Sequence, residues 1–316
     1  MPVALPETDE NKVLKSFFVK KIENNKDQVQ SAIIAMETLL EAIKIDKSST
    51  TIMELIDRLG SVRKLLADID IVPQKASIKS GSELFLRFTT MMISDIMHQS
   101  SDFDKVKEAL IDRGIQCIST MKLCREKAVR HFQIFVPESA RVLIHGYSRA
   151  VADAIRLAAA NGRLKCVYQT KLSTASTDDE ERGKFLKELK DAGIECYEVL
   201  SESIAYLMER IDVVILGAEA VVESGSVISS IGSYGVAITA DVHKKPVYVI
   251  CESFKFMRSY PMKQLEVEQD HKYTDGDSGH PIGDLTPAKF VTLLITDLGA
   301  LTPAAVGHHL IQLYSG

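Results

Sequence analysis

Val213-Val214-Ile215-Leu216-Gly217-Ala218-Glu219-Ala220-Val221-Val222-Glu223-Ser224-Gly225-Ser226-Val227-Ile228-Ser229-Ser230-Ile231-Gly232-Ser233 is the stretch on which the fold turns. Its first four residues are apolar on both faces of a strand and too few for a helix, which is the pattern of a fully buried strand. A strand that delivers a carboxylate, here Glu219, and then the glycines Gly225 and Gly232 suits an open α/β sheet. Such sheets bind ligands outside the carboxyl ends of their strands. Glycine lets the backbone come close to a phosphate, and the loop N–H groups can point at the anion. The same spacing serves a plain strand–turn–strand connection equally well, so it marks a place rather than a ligand.

Outward from this stretch the alternation continues. Val142–Ile144, Cys166–Gln169, Cys196–Leu200 and Val247–Ile250 read as further strands. Ala150–Ala160, Glu180–Ala192 and Ser203–Arg210 read as the helices between them, which implies a parallel sheet covered on both faces. Two closing helices are expected over Pro287–Thr296 and Pro303–Tyr314, the second with Thr302 as its N-cap. Residues 271–283 read as an exposed loop.

The N-terminal half shows no strand-like alternation. Ile52, Leu55, Ile56, Leu59, Val62, Leu65 and Leu66 recur at three- and four-residue steps, the mark of a helix with one buried face. Ser48–Thr51 supply its N-cap candidates, and Pro73 lies beyond its end. Ala32–Ile43, Glu83–Met97 and Asp104–Phe132 repeat the pattern. The fold class is therefore α/β: an N-terminal helical domain over residues 1–135 and a Rossmann-like domain over 136–316. The second domain carries a mainly parallel sheet, and a ligand-sized cleft is expected between the two.

Bulk composition excludes several classes. A 316-residue chain with 46% hydrophobic and 26% charged residues has an ordinary globular balance. A net charge of −5 gives no basic footprint for nucleic acid. No apolar run reaches the length of a membrane span, and residues 1–9 lack the apolar core of a signal peptide. Five scattered cysteines without a Cys-x-x-Cys pair fit buried thiols in a reducing cytosol better than disulfides or zinc. His308 and His309 are adjacent on a helix and cannot chelate one metal together. No cofactor and no metal are expected.

Several stretches carry a resemblance: Gly217–Gly225, Val142–Arg149, Glu252-Ser253-Phe254-Lys255-Phe256, Ile295–Pro303, and Ser77–Gly81 with Glu83–Phe88. Together and in order they resemble the family of alpha regulatory subunits of eukaryotic translation initiation factor 2B. That family is homologous to methylthioribose-1-phosphate and ribose-1,5-bisphosphate isomerases. The resemblance implies a non-catalytic, cytosolic subunit of a guanine nucleotide exchange factor complex. It implies a homodimer that bridges the other subunits and helps sense the phosphorylated alpha subunit of initiation factor 2. The alternative is an active aldose–ketose isomerase acting on a sugar phosphate.

Two departures weigh against that alternative. By resemblance, the isomerases carry an aspartate where this chain has Glu219, and a cysteine after the histidine where this chain has Gly146. The lengthened acid and the missing thiol are the groups that would move a proton between neighbouring carbons. No residue is assigned a catalytic role. Ligand contact is expected from Lys79, His145, Gly146, Glu219, Gly225, Ser229, Ser230 and Gly232. Lys79 stands where the isomerases hold phosphate with an arginine, and Ser229-Ser230 replaces an Asn-Lys, removing one positive charge. His145 suits a ligand contact and a packed, hydrogen-bonded histidine equally. The ligand so implied is a sugar phosphate in an allosteric role. Phe254, Phe256 and a helix over Phe290–Ile295 are expected to supply the dimer surface. Glu37, Thr38 and Glu41 are expected on an open helical face that meets the phosphorylated factor.

Overall fold

The computed structural model describes residues 9–24, 30–69, 75–97, 102–171, 179–276 and 278–315. Pro73, named above as a boundary signal, lies outside them. The chain divides into two compact units, residues 1–123 with 312–316, and residues 124–311.

The first unit contains α1 (Asp9–Glu23), α2 (Ser31–Ile45), α3 (Ile52–Ala67), α4 (Ala76–Met97) and the first part of α5 (Phe103–Phe132). Helix α2 is apolar nearly all round and packs against α1, α3 and α4, as a central helix must. It meets α4 closely at Gly81, where a Cβ would lie 2.6 Å from the Ala32 carbonyl oxygen. The α3 helix starts as its sequence demands: Thr51 and Glu54 form a reciprocal capping box. Of the open face expected on α2, Glu41 keeps 30% of its side chain exposed, but the other two residues are covered. Thr38 is 0% exposed and donates to the Ile34 carbonyl. Glu37 is largely covered, and its oxygens lie 2.7 Å from both Lys21 and Lys122. Apolar residues on nearly every side of α2 let three neighbouring helices cover it, whatever its weak periodicity suggests.

The second unit is built on a seven-stranded sheet. Its strands are β1 (Ala140–His145), β2 (Leu164–Lys171), β3 (Glu195–Leu200), β4 (Val213–Gly217), β7 (Val247–Ile250), β10 (Leu293–Thr296) and β11 (Gly299–Leu301). Their order is β11-β10-β7-β4-β1-β2-β3, with every neighbouring pair parallel except β10–β11. Helices α6 (Arg149–Ala160) and α7 (Asp179–Asp191) cover one face, where Ala154, Ile155, Phe185 and Leu189 pack on Val142, Ile144, Val167 and Ile215. The short α8 (Ile204–Leu207) and α9 (Ser233–Val242) complete the α/β layers. A four-stranded sheet, β8-β5-β6-β9, stands beside it, made of β5 (Ala220–Val222), β6 (Val227–Ser230), β8 (Phe256–Met257) and β9 (Gly283–Thr286). Chain end α10 runs over Ala305–Ser315.

Three expectations are corrected here. The helix over Pro287–Thr296 is a single 3-10 turn followed by strand β10. Val291-Thr292-Leu293-Leu294-Ile295-Thr296 is a mainly apolar run rich in β-branched residues, and such a run suits a buried strand better than an amphipathic helix. The helix over Ser203–Arg210 keeps one α turn between two 3-10 turns. Phe254 and Phe256 are each 1% exposed and Ile295 is 0% exposed, so these residues belong to the core and offer no dimer surface.

Candidate functional site

Strand order reverses beside β1, since β2 lies on one side of it and β4 on the other. Open α/β sheets leave a crevice at such a point. A shallow cleft open to solvent lies there, and residues of the second unit alone line it. His145, Tyr147 and Ser148 follow from β1, Gly217, Ala218 and Glu219 from β4, and Ser229 and Ser230 close it from β6.

His145 is held at both ring nitrogens. Nε2 lies 2.8 Å from the Ile231 carbonyl and Nδ1 lies 2.9 Å from Thr170 Oγ1. A carbonyl only accepts, so Nε2 carries the proton and Nδ1 accepts from the threonine. Burial depresses the pKa against the pull of the carbonyl, and the ring stays neutral. The ring is thus packed and hydrogen-bonded, and it also lines the cleft. Gln169, from β2, donates to the Gly146 carbonyl at 2.7 Å and so clasps the turn that follows β1.

Glycine at 146 is a geometric requirement. Its φ is +67°, in the left-handed region, and a Cβ would approach Ser230 Oγ to 2.7 Å. Gly232, with φ +97°, would bring a Cβ within 2.8 Å of His145 Nε2. Gly225 serves a different purpose from the one expected. It turns the chain between β5 and β6, with its N–H bonded to the Val222 carbonyl, and it packs on the backbone of Pro303. It is a turn residue and does not line the cleft. Lys79 stands on α4 in the first unit.

Two helices begin near the cleft, and their N-termini differ. At α9 the anion place is filled from within: Asp284 Oδ2 accepts the N–H groups of Gly232 at 2.8 Å and Tyr234 at 3.1 Å. Desolvation nevertheless raises the Asp284 carboxyl to about 6, against the pull of those two bonds. At α6 the N-cap Ser148 makes no side-chain capping bond. Ser229 Oγ, buried and part of the cleft wall, meets no hydrogen-bond partner among the described residues. A polar ligand therefore finds the Ser229 hydroxyl and an α6 N-terminus without a side-chain cap, whereas the Gly232 and Tyr234 amides at α9 are already taken.

Sequence reasoning passed over the charges behind the wall. Lys255 is buried and donates to the Ala218 carbonyl at 2.6 Å. Burial opposes its charge, but Glu252 and Glu219 outweigh that and hold the ammonium above the usual lysine range. Asp297, after β10, accepts from both the N–H and the hydroxyl of Ser253 at 2.6 and 2.8 Å. The signal was present: Glu252, Ser253 and Lys255 directly follow the strand Val247–Ile250, at the carboxyl edge where such sheets place polar groups. Among the described residues no group of three His, Cys, Asp or Glu could hold a metal ion, and no helix is long and apolar enough to cross a membrane.

Comparison with known proteins gives the lineage. The translation initiation factor eIF2B subunit alpha of Caenorhabditis elegans is 33% identical over 308 residues, covering 95% of this chain and 97% of that one. The ribose 1,5-bisphosphate isomerase of Methanocaldococcus jannaschii is 25% identical over 221 residues, or 66% of this chain and 70% of that one. The crystal structure of the tetrameric eIF2B-beta2-delta2 complex from C. thermophilum matches the fold with a TM-score of 0.79 at 18% identity, covering 97% of this chain and 96% of that one. Residues 25–303 match the initiation factor 2 subunit family, and the chain belongs to that family.

Proposed function

We propose that this chain is the regulatory alpha subunit of the guanine nucleotide exchange factor for initiation factor 2, acting in the cytosol as a non-catalytic homodimer. It assembles with the other subunits and makes exchange sensitive to the phosphorylated alpha subunit of initiation factor 2. The observation that carries the reading is the near end-to-end similarity to a curated alpha subunit at 33% identity. The isomerase relative matches at lower identity and over less of the chain.

Cleft geometry supports the non-catalytic part. A cysteine at 146 would need a left-handed backbone and would press its Cβ on Ser230. The neighbouring histidine is neutral and engaged at both nitrogens, which supports a site in which it does not exchange a proton with Glu219. The dimer reading has surface to use: Tyr206, Ile238 and Val242 are exposed apolar side chains on α8 and α9. A sugar phosphate remains the allosteric ligand proposed for the cleft, its anion at α6 rather than α9.

The test is assembly. Light scattering of the purified chain should give the mass of two copies, and mixing it with the beta and delta subunits should give one larger species. Separate elution at micromolar concentration, with turnover of ribose 1,5-bisphosphate that Glu219→Ala abolishes, would replace this reading with the isomerase.

A further inference from the structure

Behind the cleft wall, charged residues from α5, α6 and the segment after β7 meet in one chain of contacts. Lys255 Nζ lies 3.3 Å from Glu252 Oε2 while holding the Ala218 carbonyl at 2.6 Å. Glu252 Oε1 lies 3.5 Å from Arg125 Nε, and Arg125 Nη1 lies 3.8 Å from Asp153 Oδ2. The other Asp153 oxygen takes Arg156 Nη1 at 2.9 Å. Glu252 is 0% exposed and Lys255 7%. At one end, Ala218 lies between Gly217 and Glu219 on the cleft wall. At the other, Arg125 sits on α5, the helix that begins at Phe103 in the first unit and ends at Phe132 in the second. His131, also on α5, donates Nδ1–H to the Thr296 carbonyl at 2.7 Å and fixes the same helix to β10.

A fully buried carboxylate flanked by two cations cannot lose either of them without consequence for the other. Loosening one leaves a charge that must move toward the remaining cation or toward water, so the two contacts are not independent. Low local dielectric strengthens this dependence. We infer that Glu252 is a positioning residue that couples the Gly217–Glu219 wall of the cleft to α5, so that a change in the cleft wall is read on that helix. This goes beyond the regulatory reading, because it names a device inside the chain and stands whether or not the partners are those proposed.

Amide hydrogen exchange followed by mass spectrometry on the full chain tests it. The variants are Lys255→Met, Arg125→Met and their double, with Arg141→Met, which breaks the more exposed Asp212 pair, as control. Lys255→Met should accelerate exchange about tenfold in peptides covering 124–132, and Arg125→Met should do the same in 217–222, as expected of one cooperative unit. The double variant should exchange no faster than the faster single variant. Acceleration confined to each variant's own segment, beyond whatever rise global destabilisation produces throughout β2, would overturn the coupling. If the methionine variants fail to fold, Glu252→Gln keeps the question open to measurement. It should loosen both segments together, and loosening only one would contradict the proposal.

Discussion

Buried polar groups are used differently in the two units. In the helical unit several buried hydroxyls serve their own helix: Thr38, Ser82 and Thr89 each donate to the carbonyl four residues back, at 2.8, 2.6 and 2.8 Å. In the sheet unit buried polar groups join segments far apart in the chain, as His145 does to Ile231, Asp284 to Gly232, and Lys255 to Ala218. Local back-bonding satisfies a hydroxyl without specifying any tertiary neighbour. A long-range buried bond does specify one, and it leaves an orphaned group on each side when broken. In the second unit the groups that shape the cleft are therefore also the groups that hold the core together.

The sharpest way to break this contrast is Lys255→Met, which leaves Glu252 buried with one cation fewer. It should lower unfolding stability by about 3–5 kcal/mol, the range for removing one partner of a buried pair. A urea midpoint close to wild type would show that the charges behind the cleft are not coupled to the core.

Next in size is Asp284→Asn, with the sign reversed. The folded carboxyl titrates near 6 against 3.8 for the ordinary group. A raised acid pKa means the fold disfavours the ionised form. Stability from this group is intact below pH 3.8 and is lost as pH rises through about 6. That loss amounts to roughly 3 kcal/mol at neutral pH. Asparagine still accepts from the Gly232 and Tyr234 amides, so the variant should melt above wild type at pH 8 and lose the advantage toward pH 4. Equal melting temperatures at both pH values would contradict a carboxylate strained by burial.

Glu37→Gln should cost less, about 1 kcal/mol, because Lys21 and Lys122 are both nearly half exposed. Burial alone would raise the Glu37 pKa, but the two lysines outweigh it and hold it below 4.5. Its stabilising effect is thus present above pH 4.5 and fades as pH falls through the lower folded value. Wild type and variant should therefore converge in acid. Smallest of all is Thr38→Val, expected within about 1 kcal/mol since only a local bond is lost. A larger effect would mean that the helical unit also relies on its buried polar groups.

The same contrast explains what the sequence made legible. Helices with a clean apolar stripe, such as α3, and strands that are apolar on both faces, such as β4, follow from spacing alone. Strands β8 and β9 were hidden because they have two and four residues and pair only with β5 and β6, far away in the chain, whereas the β5–β6 hairpin is the strand–turn–strand connection the spacing allowed. Among the site residues, His145, Gly146, Glu219, Ser229, Ser230 and Gly232 gather at the β1–β4 crevice, because strand ends converge there. Asp284 gave no signal, because its role as a cap exists only once β9 pairs with β6 and places it opposite Ser229. Glu252 and Lys255 carry a positional signal, since they follow a strand at the carboxyl edge of the sheet, but nothing local shows that they will be buried.

The central claim is that this chain regulates exchange rather than catalysing a reaction of its own. It is tested most directly by reconstituting the exchange factor with and without the chain. Nucleotide release from initiation factor 2 would be followed in the presence of its phosphorylated form. The account predicts that phosphorylation inhibits exchange strongly only when the chain is present. Inhibition of equal strength in its absence would contradict the account.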